Sequence, residues 1–437
     1  MRTITLLTGK EDKHRTTFGL LLCWQTCKSS SLVMLSATVR SDFHYSSFVH
    51  TFINSFSIGL TFELKNTNAS TAASPDVGGQ LKQHPTMPGK SKEDRIKTVF
   101  GGGGHVVILG AGASIASTFR NPEFNGKRLP SMDNFIEVVG LDDIVQKIPQ
   151  NLVAKNFEEL YSNLYKSNPK SDEILEIERR VYEYFKDMKL PNEPTIYDHL
   201  ILSLRPKDLI ATFNWDPFLY QAFIRNGEVA DMPYMAFLHG TVALGYSKEE
   251  KRSGPAGWYS KATKNYFEPT RLLYPIGEKN YYDDEFISIE WERLQAWLHS
   301  KDTRRVTIFG YGAPSSDKEA VKILNKAWGT SNKRNMEQFE IIDIREEEIV
   351  RKSWDKFIHS HHYDYSTDYF SSSLAANPRR TSESYFQHIM PMTIDEAFSE
   401  SNPVPKDIKT MKELWDWHKP LIEAENEWKL QNSKAKK

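Results

Sequence analysis

The chain has 437 residues, of which 39% are hydrophobic and 26% charged, with a formal net charge of -1; this length ordinarily folds into roughly two or three domains. A near-neutral balance gives no general affinity for nucleic acid or for an anionic membrane surface, and neither partner is expected. The two cysteines, Cys23 and Cys27, exclude a disulfide scaffold and a four-cysteine zinc site; they read as reduced thiols in a cytoplasmic protein, and no metal is expected.

From Met1 to Lys97 no period of 3.6 or 2 is sustained. The longest apolar run there, Phe18 to Trp24, is far short of the ~20 residues of a membrane helix, and Ser47 to Phe62 is broken by polar residues. The basic, acid-poor start resembles a targeting peptide without the small-residue cleavage pattern. Asn66 to Lys92 is rich in Ser, Thr, Pro, Gly, Asn and Gln and buries too little apolar surface to offset its ordering entropy. Residues 1–97 are therefore expected to be a disordered leader. A start at Met87 would give a more economical protein, so the first 86 residues are expected to be dispensable or misassigned, which truncation to Met87 would test.

The next segment, 98–375, alternates strands with helices and predicts an α/β domain: a Rossmann-like, mostly parallel sheet flanked by helices. His105 to Leu109 is its first strand, β-branched and bounded by glycines. It runs into the turn Gly110-Ala111-Gly112-Ala113-Ser114 and a short helix. A polar loop, Arg120 to Arg128, follows, and then a helix that Ser131 or Asp133 would cap. A helical insertion is expected over about 141–204. Within it Ser171 is a plausible cap, and Ile174, Ile177, Val181, Tyr184, Phe185 and Met188 form a stripe read as core. Further strands are Asp208 to Phe213, Met235 to Leu238, Val306 to Gly310 and Phe339 to Asp343. Lys248 to Lys264 reads as a mobile loop near the site, and Phe286 to His299 as a helix. Beyond the domain, 376–437 is expected to be a linker and a helical tail: Ser371 to Ser384 is polar, and Met411 to Leu430 is amphipathic with Trp415, Trp417 and Trp428. The tail would pack on the domain or on another subunit.

Three groups of residues could carry chemistry. A glycine turn between a strand and a helix lets backbone approach a phosphate and offers helix N-terminal amides to it, the requirement of a dinucleotide site. Gly110-x-Gly112 lacks the third glycine of the hydride-transfer fingerprint, Ile115 following instead, which argues against a dehydrogenase. Asn214 both donates and accepts, and would bond ribose hydroxyls or orient a water; Asp216 would accept from a carboxamide. Either could instead cap the helix that follows. His239, at a strand end before Gly240, is the general-base candidate or else a structural histidine.

In these residues the chain resembles the sirtuin superfamily. Gly110 to Ser114 is similar to its phosphate turn, Thr212-Phe213-Asn214-Trp215-Asp216 to its Thr-Gln-Asn-x-Asp motif, and Leu238-His239-Gly240 to its catalytic His-Gly. Ile308-Phe309-Gly310-Tyr311-Gly312-Ala313-Pro314 with Asp317 resembles a late stretch of bacterial sirtuin-like NAD hydrolases associated with antiphage defence. The likeness spans roughly residues 100 to 350. Three departures matter. The chain cannot build the zinc ribbon of protein-deacylating sirtuins; Leu272 to Glu278 is at best a distant echo of their Phe-Gly-Glu channel segment; and Phe213 replaces the motif glutamine.

The resemblance implies an NAD+ glycohydrolase that takes NAD as substrate, uses no metal, and releases ADP-ribose and nicotinamide. Gly110, Ala111, Gly112, Ala113, Ser114, Thr212 and Gly310 would hold the cofactor, Asp216 its carboxamide, Asn214 the ribose and the attacking water, and His239 the proton. Phe119 and Arg120 would close over the ribose. Asp343 would reach the adenosine ribose hydroxyls unless Arg345 pairs with it, and Ser315 and Asp317 would cap a helix or touch the adenosine side. Homo-oligomerisation and an infection-linked activator are implied as well. An NAD-dependent protein deacylase and a non-catalytic NAD or ADP-ribose sensor remain the alternatives.

Overall fold

Short apolar runs with little polar alternation need cover on both faces, and four of them form the centre of the main sheet. Its strands are β1 (Gly104–Leu109), β2 (Leu209–Thr212), β3 (Tyr234–Phe237), β4 (Thr303–Phe309), β5 (Gln338–Ile342) and β6 (Tyr363–Ser366). They pair in the order β3-β2-β1-β4-β5-β6, every pair parallel. β1, β2 and β5 are buried throughout and β4 nearly so, whereas the edge strands β3 and β6 are partly exposed. This is the Rossmann-like parallel sheet flanked by helices. From β1 the chain proceeds outward to β2 and β3, then returns to lay β4 on the opposite side of β1. Such a reversal opens a crevice at the carboxyl ends of the two central strands.

The structure is a computed structural model. It describes residues 89–118, 127–276, 279–314, 317–391, 396 and 398–435, together with the backbone of three N-terminal strands. Residues 1–82 form a unit of their own. In it Thr3–Lys10, Arg15–Thr26 and Ser29–Arg40 pair antiparallel in sequence order, where the sequence reading placed no element; the Thr-, Leu- and Val-rich composition of these runs suits a strand. The expected unstructured segment from Asn66 and the start at Met87 lie outside the described residues as far as residue 88.

The second unit, residues 83–437, takes in more chain than the reading assigned to the domain. Ser91 and Asp94 form a capping box that starts a helix at Lys92–Lys97, and Arg95 on that helix is buried, donating to Asn377 Oδ1 at 2.5 Å. The helical insertion is present as Phe157–Ser167, Asp172–Lys186 and Ile196–Leu202. Ser171 caps the second of these at 3.3 Å, and its stripe is buried except for half-exposed Tyr184. At the helix Phe135–Val139 the cap position belongs to Asn134, not Ser131 or Asp133; Asn134 turns its carbonyl back to the Ser131 amide, and Asp133 accepts from Asn156.

Two larger corrections concern segments read from their polarity. Residues 248–264 are not a mobile loop beside the site. Leu244–Ser247, Arg252–Pro255 and Glu268–Pro269 form a small antiparallel sheet, Tyr259–Ser260 and Asn265–Tyr266 pair as a hairpin, and the buried Phe267 side chain lies beside Trp258. Residues 377–384 are not a solvated linker either: Asn377 and Arg379 to Ser384 are buried. Arg379 and Arg380 both bond Glu425, at 2.6 and 2.7 Å, and Arg205 bonds Glu383 at 2.7 Å. Charges paired in this way tolerate burial that either partner alone would resist. The tail helix, Met411–Ala435, therefore packs on the domain. Leu414 and Leu421 are buried and Trp415 Nε1 donates to Asn226 Oδ1 at 2.7 Å. No helix among the described residues is long and apolar enough to cross a membrane.

Candidate active site

The crevice between β1 and β4 holds a cavity of about 800 Å³, toward the upper end for small-molecule sites. Its floor is made of two turns that touch. A Cβ on Gly110 would lie 2.5 Å from Gly310 O, and Gly310, at φ +61°, could carry one only 2.6 Å from Gly112 Cα. The contact is hydrogen-bonded: Gly110 N–H donates to Phe309 O and Gly112 N–H to Gly310 O, each at 3.0 Å, and Ala113 N–H returns to Gly110 O at 3.0 Å. Gly110, Ala111, Gly112, Ser114 and Gly310 line the cavity, whereas Ala113 is fully buried and is not on its wall. The glycines thus serve first to let two backbones meet, and the amides of Gly110, Gly112 and Ala113 are already spent there.

Asn214 follows β2 and stands at the centre of a polar cluster. Its Nδ2 donates to Gly110 O and Ser114 Oγ, both at 2.8 Å, and approaches Tyr197 OH at 3.2 Å. Gly110 O can only accept, so the amide nitrogen must face it and Oδ1 must point away. That oxygen has no partner among the described residues. Thr212 does not line the cavity; its hydroxyl accepts from the Asn214 backbone N–H at 3.0 Å and fixes the turn. Ser114 Oγ donates to Asp216 Oδ2 at 2.7 Å, and Asp216 Oδ1 accepts from Phe218 N–H at 3.1 Å. Asp216 therefore bonds the first amide of the helix Phe218–Asn226 from the position before its cap residue, Pro217, and it also lines the cavity. Burial raises its pKa to about 6 against the pull of Ser114 and the Phe218 amide.

His239 enters the same cavity from the end of β3. Leu273 N–H donates to His239 O at 2.9 Å and holds the strand end. The Phe213 ring meets the imidazole edge to face at 4.8 Å and stacks on Tyr311 at 4.1 Å, so the phenylalanine that replaces the motif glutamine braces the histidine. Nε2 is buried without a hydrogen-bond partner, 3.9 Å from Asp317 Oδ1. Asp317 is committed elsewhere, to Lys279 and to Tyr311 OH, the latter at 2.8 Å. Burial, then the Lys279 charge, lower the His239 pKa to about 3, opposed by Asp317. The imidazole is neutral near pH 7. Asp317 thus occupies the cap position of the helix Lys318–Trp328, as one of the two readings had it, with its carboxylate turned to Lys279 and toward His239 instead of bonding the helix amides.

Across the floor, Asp343 follows β5 and lines the opposite wall. Its carboxylate is held by Arg345: Nε to Oδ1 at 2.8 Å, Nη2 to Oδ2 at 2.6 Å and the Arg345 backbone N–H to Oδ1 at 3.0 Å. Phe119, Arg120 and Ser315 lie outside the described residues. Among the described residues no group of three or more His, Cys, Asp or Glu could hold a metal ion.

The structure adds three residues that the sequence did not single out, Trp215 and Lys279 on the cavity wall and Tyr197 buried behind it. Tyr197 bonds the Asn214–Ser114 pair, Trp215 has a buried indole N–H without an acceptor, and Lys279 neutralises Asp317. Tyr197 and Trp215 are aromatics of kinds that a core also buries, so residue type alone carries no signal for either. Lys279 is set by a long-range contact with no local signal.

No protein-family model matches the chain, and no curated protein matches it. Similar solved structures include a Sir2 homolog–NAD complex, 13% identical over 70% of this chain and 97% of that chain, with a TM-score of 0.28. Another is an ADP-ribose complex of a variant Sir2 homologue, 11% identical over 61% and 94%, TM-score 0.29. A third is a 2'-O-acetyl ADP-ribose complex of a variant, 12% identical over 68% and 97%, TM-score 0.27. The fold assignment stands on the strand order, independently of these superpositions.

Proposed function

We propose that the cavity binds NAD+ and hydrolyses its nicotinamide–ribose bond, giving nicotinamide, ADP-ribose and a proton. The observation that carries this reading is one crevice, floored by the glycine turn, that holds a buried His239 Nε2 without a hydrogen-bond partner and a half-buried Asn214 whose Oδ1 is bonded by no described residue. Buried polar groups ordinarily have partners, and a ribose with its hydroxyls and an incoming water supplies them. The residues present fit the substrate: the floor carries no side chain larger than those of Ala111 and Ser114 to obstruct a diphosphate, and the Trp215 indole N–H and Asp216 offer one donor and one acceptor for a carboxamide.

Departure of neutral nicotinamide leaves positive charge on the ribose, so the protein must orient and desolvate more than it must protonate. Asn214, locked by three contacts, presents Oδ1 to a ribose hydroxyl or to the attacking water without reorganising. Ionised Asp216 accepts from the carboxamide N–H. Neutral His239 takes a hydrogen bond from a ribose hydroxyl and receives the proton as water adds. Asp317 is 3.9 Å away and would stabilise the imidazolium once formed.

The test is incubation of the purified chain with NAD+ alone, with nicotinamide and ADP-ribose followed by chromatography. Release by the parent protein and its loss in Asn214→Ala, with the fold checked by circular dichroism, is the expected result. Wild-type consumption of NAD+ by Asn214→Ala would overturn the roles given. The low His239 pKa favours a second reading, a sensor that binds NAD+ or ADP-ribose without turnover; binding without release identifies it. A need for acyl-lysine peptide would identify a deacylase. The motif resemblance extends the proposal to NAD+ depletion in defence against phage, by an oligomer under an activator, which phage challenge of cells carrying Asn214→Ala would test.

A further inference from the structure

The wall formed by the end of β5 offers a ligand a cation rather than a carboxylate. Both Asp343 oxygens are engaged by Arg345, and the Asp343 side chain is 4% exposed against 46% for Arg345. The guanidinium is therefore the group on the surface, and the carboxylate lies behind it. Its position is fixed: the two parallel bonds to Asp343 set its plane, and it lies against Gly312, where a Cβ would collide first with Nη1 and would be 2.8 Å from Nη2. Gly312, Asp343 and Arg345 all line the cavity. Nη1 donates to no described residue and is the spare arm of the fork. A carboxylate with free lone pairs at a strand end selects a 2',3'-diol, whereas an arginine there accommodates a 2'-phosphate. A guanidinium matches phosphate geometry and keeps its charge at any working pH.

We infer that this chain accepts a dinucleotide carrying a 2'-phosphate on its adenosine ribose, NADP+ as well as NAD+, with Arg345 as the residue that receives the phosphate. The inference rests on the proposed function for one point: the scissile end lies at Asn214 and His239, which leaves the β4–β6 side of the crevice to the adenosine. Asp343 then acts as a positioning residue that aims the guanidinium, not as the diol acceptor expected from the sequence. Asp368 is the other carboxylate on this wall; its Oδ1 accepts from the Phe370 and Ser371 amides, at 2.9 and 3.2 Å, and Lys406 lies 3.9 Å from it. Those contacts offset part of its repulsion of a phosphate.

The test separates binding from turnover. Affinities of the full chain for ADP-ribose and for ADP-ribose 2'-phosphate are measured by calorimetry, and nicotinamide release is measured from NAD+ and from NADP+. The phosphate-bearing ligand is expected to bind at least as tightly as ADP-ribose. Arg345→Ala should weaken it about tenfold more than ADP-ribose, the loss of one charge-assisted contact, with partial rescue in Arg345→Lys. Because Arg345→Ala leaves a buried carboxylate unpaired, the double variant Asp343→Asn, Arg345→Ala is measured beside it and should show the same loss of preference. ADP-ribose binding tenfold or more tightly than its 2'-phosphate, or equal losses for both ligands in the variants, would overturn the inference while leaving NAD+ hydrolysis untouched. Preferential binding of the 2'-phosphate without nicotinamide release would keep the inference and sink the hydrolase. Failure of both ligands to bind would sink both.

Discussion

The two sides of the crevice are built on opposite plans. On the β1–β3 side Asn214, Ser114, Tyr197 and Asp216 form a cluster whose donors and acceptors largely satisfy one another, with His239 neutral behind an aromatic brace. On the β4–β6 side one bidentate ion pair stands half in solvent. A buried, prewired cluster suits bond cleavage, because its dipoles need not reorganise and act in a low dielectric. An exposed, charged wall suits discrimination among ligands, where a side chain can be exchanged without disturbing the core.

If this division is right, perturbations should differ in kind as well as in size. Asn214→Ala should have the largest effect, lowering kcat about 10²- to 10³-fold, as loss of one preorganised group does, with little change in KM. His239→Gln should follow at about 10²-fold, the lower range for loss of a proton acceptor. Single-turnover kinetics check both, and a rise in KM alone would place these residues in uniform binding. Gly310→Ala should strike both sides at once: it forces a positive φ and parts the floor, at a cost of about 1–3 kcal/mol in denaturant titration, together with weaker binding of ADP-ribose.

The pH dependence sharpens the contrast. Burial raises Asp216 to about 6, so kcat/KM should fall about tenfold per unit as pH drops below 6. Asp216→Asn should abolish that limb, and no limb near 6.5 should come from His239, which burial keeps neutral down to about 3. The sign for stability is opposite: a raised carboxylate favours the fold at low pH, and that contribution is lost as pH rises through about 6. The smallest effect belongs to the solvent side. Raising ionic strength from about 0.1 to about 0.5 M should weaken 2'-phosphate binding a few-fold by screening the half-exposed Arg345 while leaving kcat unchanged.

The buried half was the legible half. Strands β1, β2, β4 and β5 announce themselves as short apolar runs, and Asn214, Asp216 and His239 fall at strand ends where a parallel sheet collects side chains. β6 was missed because Tyr363 to Ser366 is short and polar at the sheet edge. The buried stretch Arg379 to Ser384 looked like a linker because composition cannot reveal that Glu425, 46 residues beyond Arg379, supplies the countercharge. Lys279 and Tyr197 were invisible for the same reason: their roles are pairwise and long-range. Asp343 was legible as a polar strand end, but its engagement by a residue two places along is a matter of rotamer, which no periodicity encodes.

The meeting of the Gly110 and Gly310 turns has a mechanical consequence. Locked backbone to backbone, with no side chain to rearrange between them, the two halves of the sheet edge cannot hinge apart beneath a ligand. Any change in the width of the crevice then has to come from its flanks, where Leu129 to Asp133 with Phe135 and Thr367 to Phe370 line the cavity, and not from the floor.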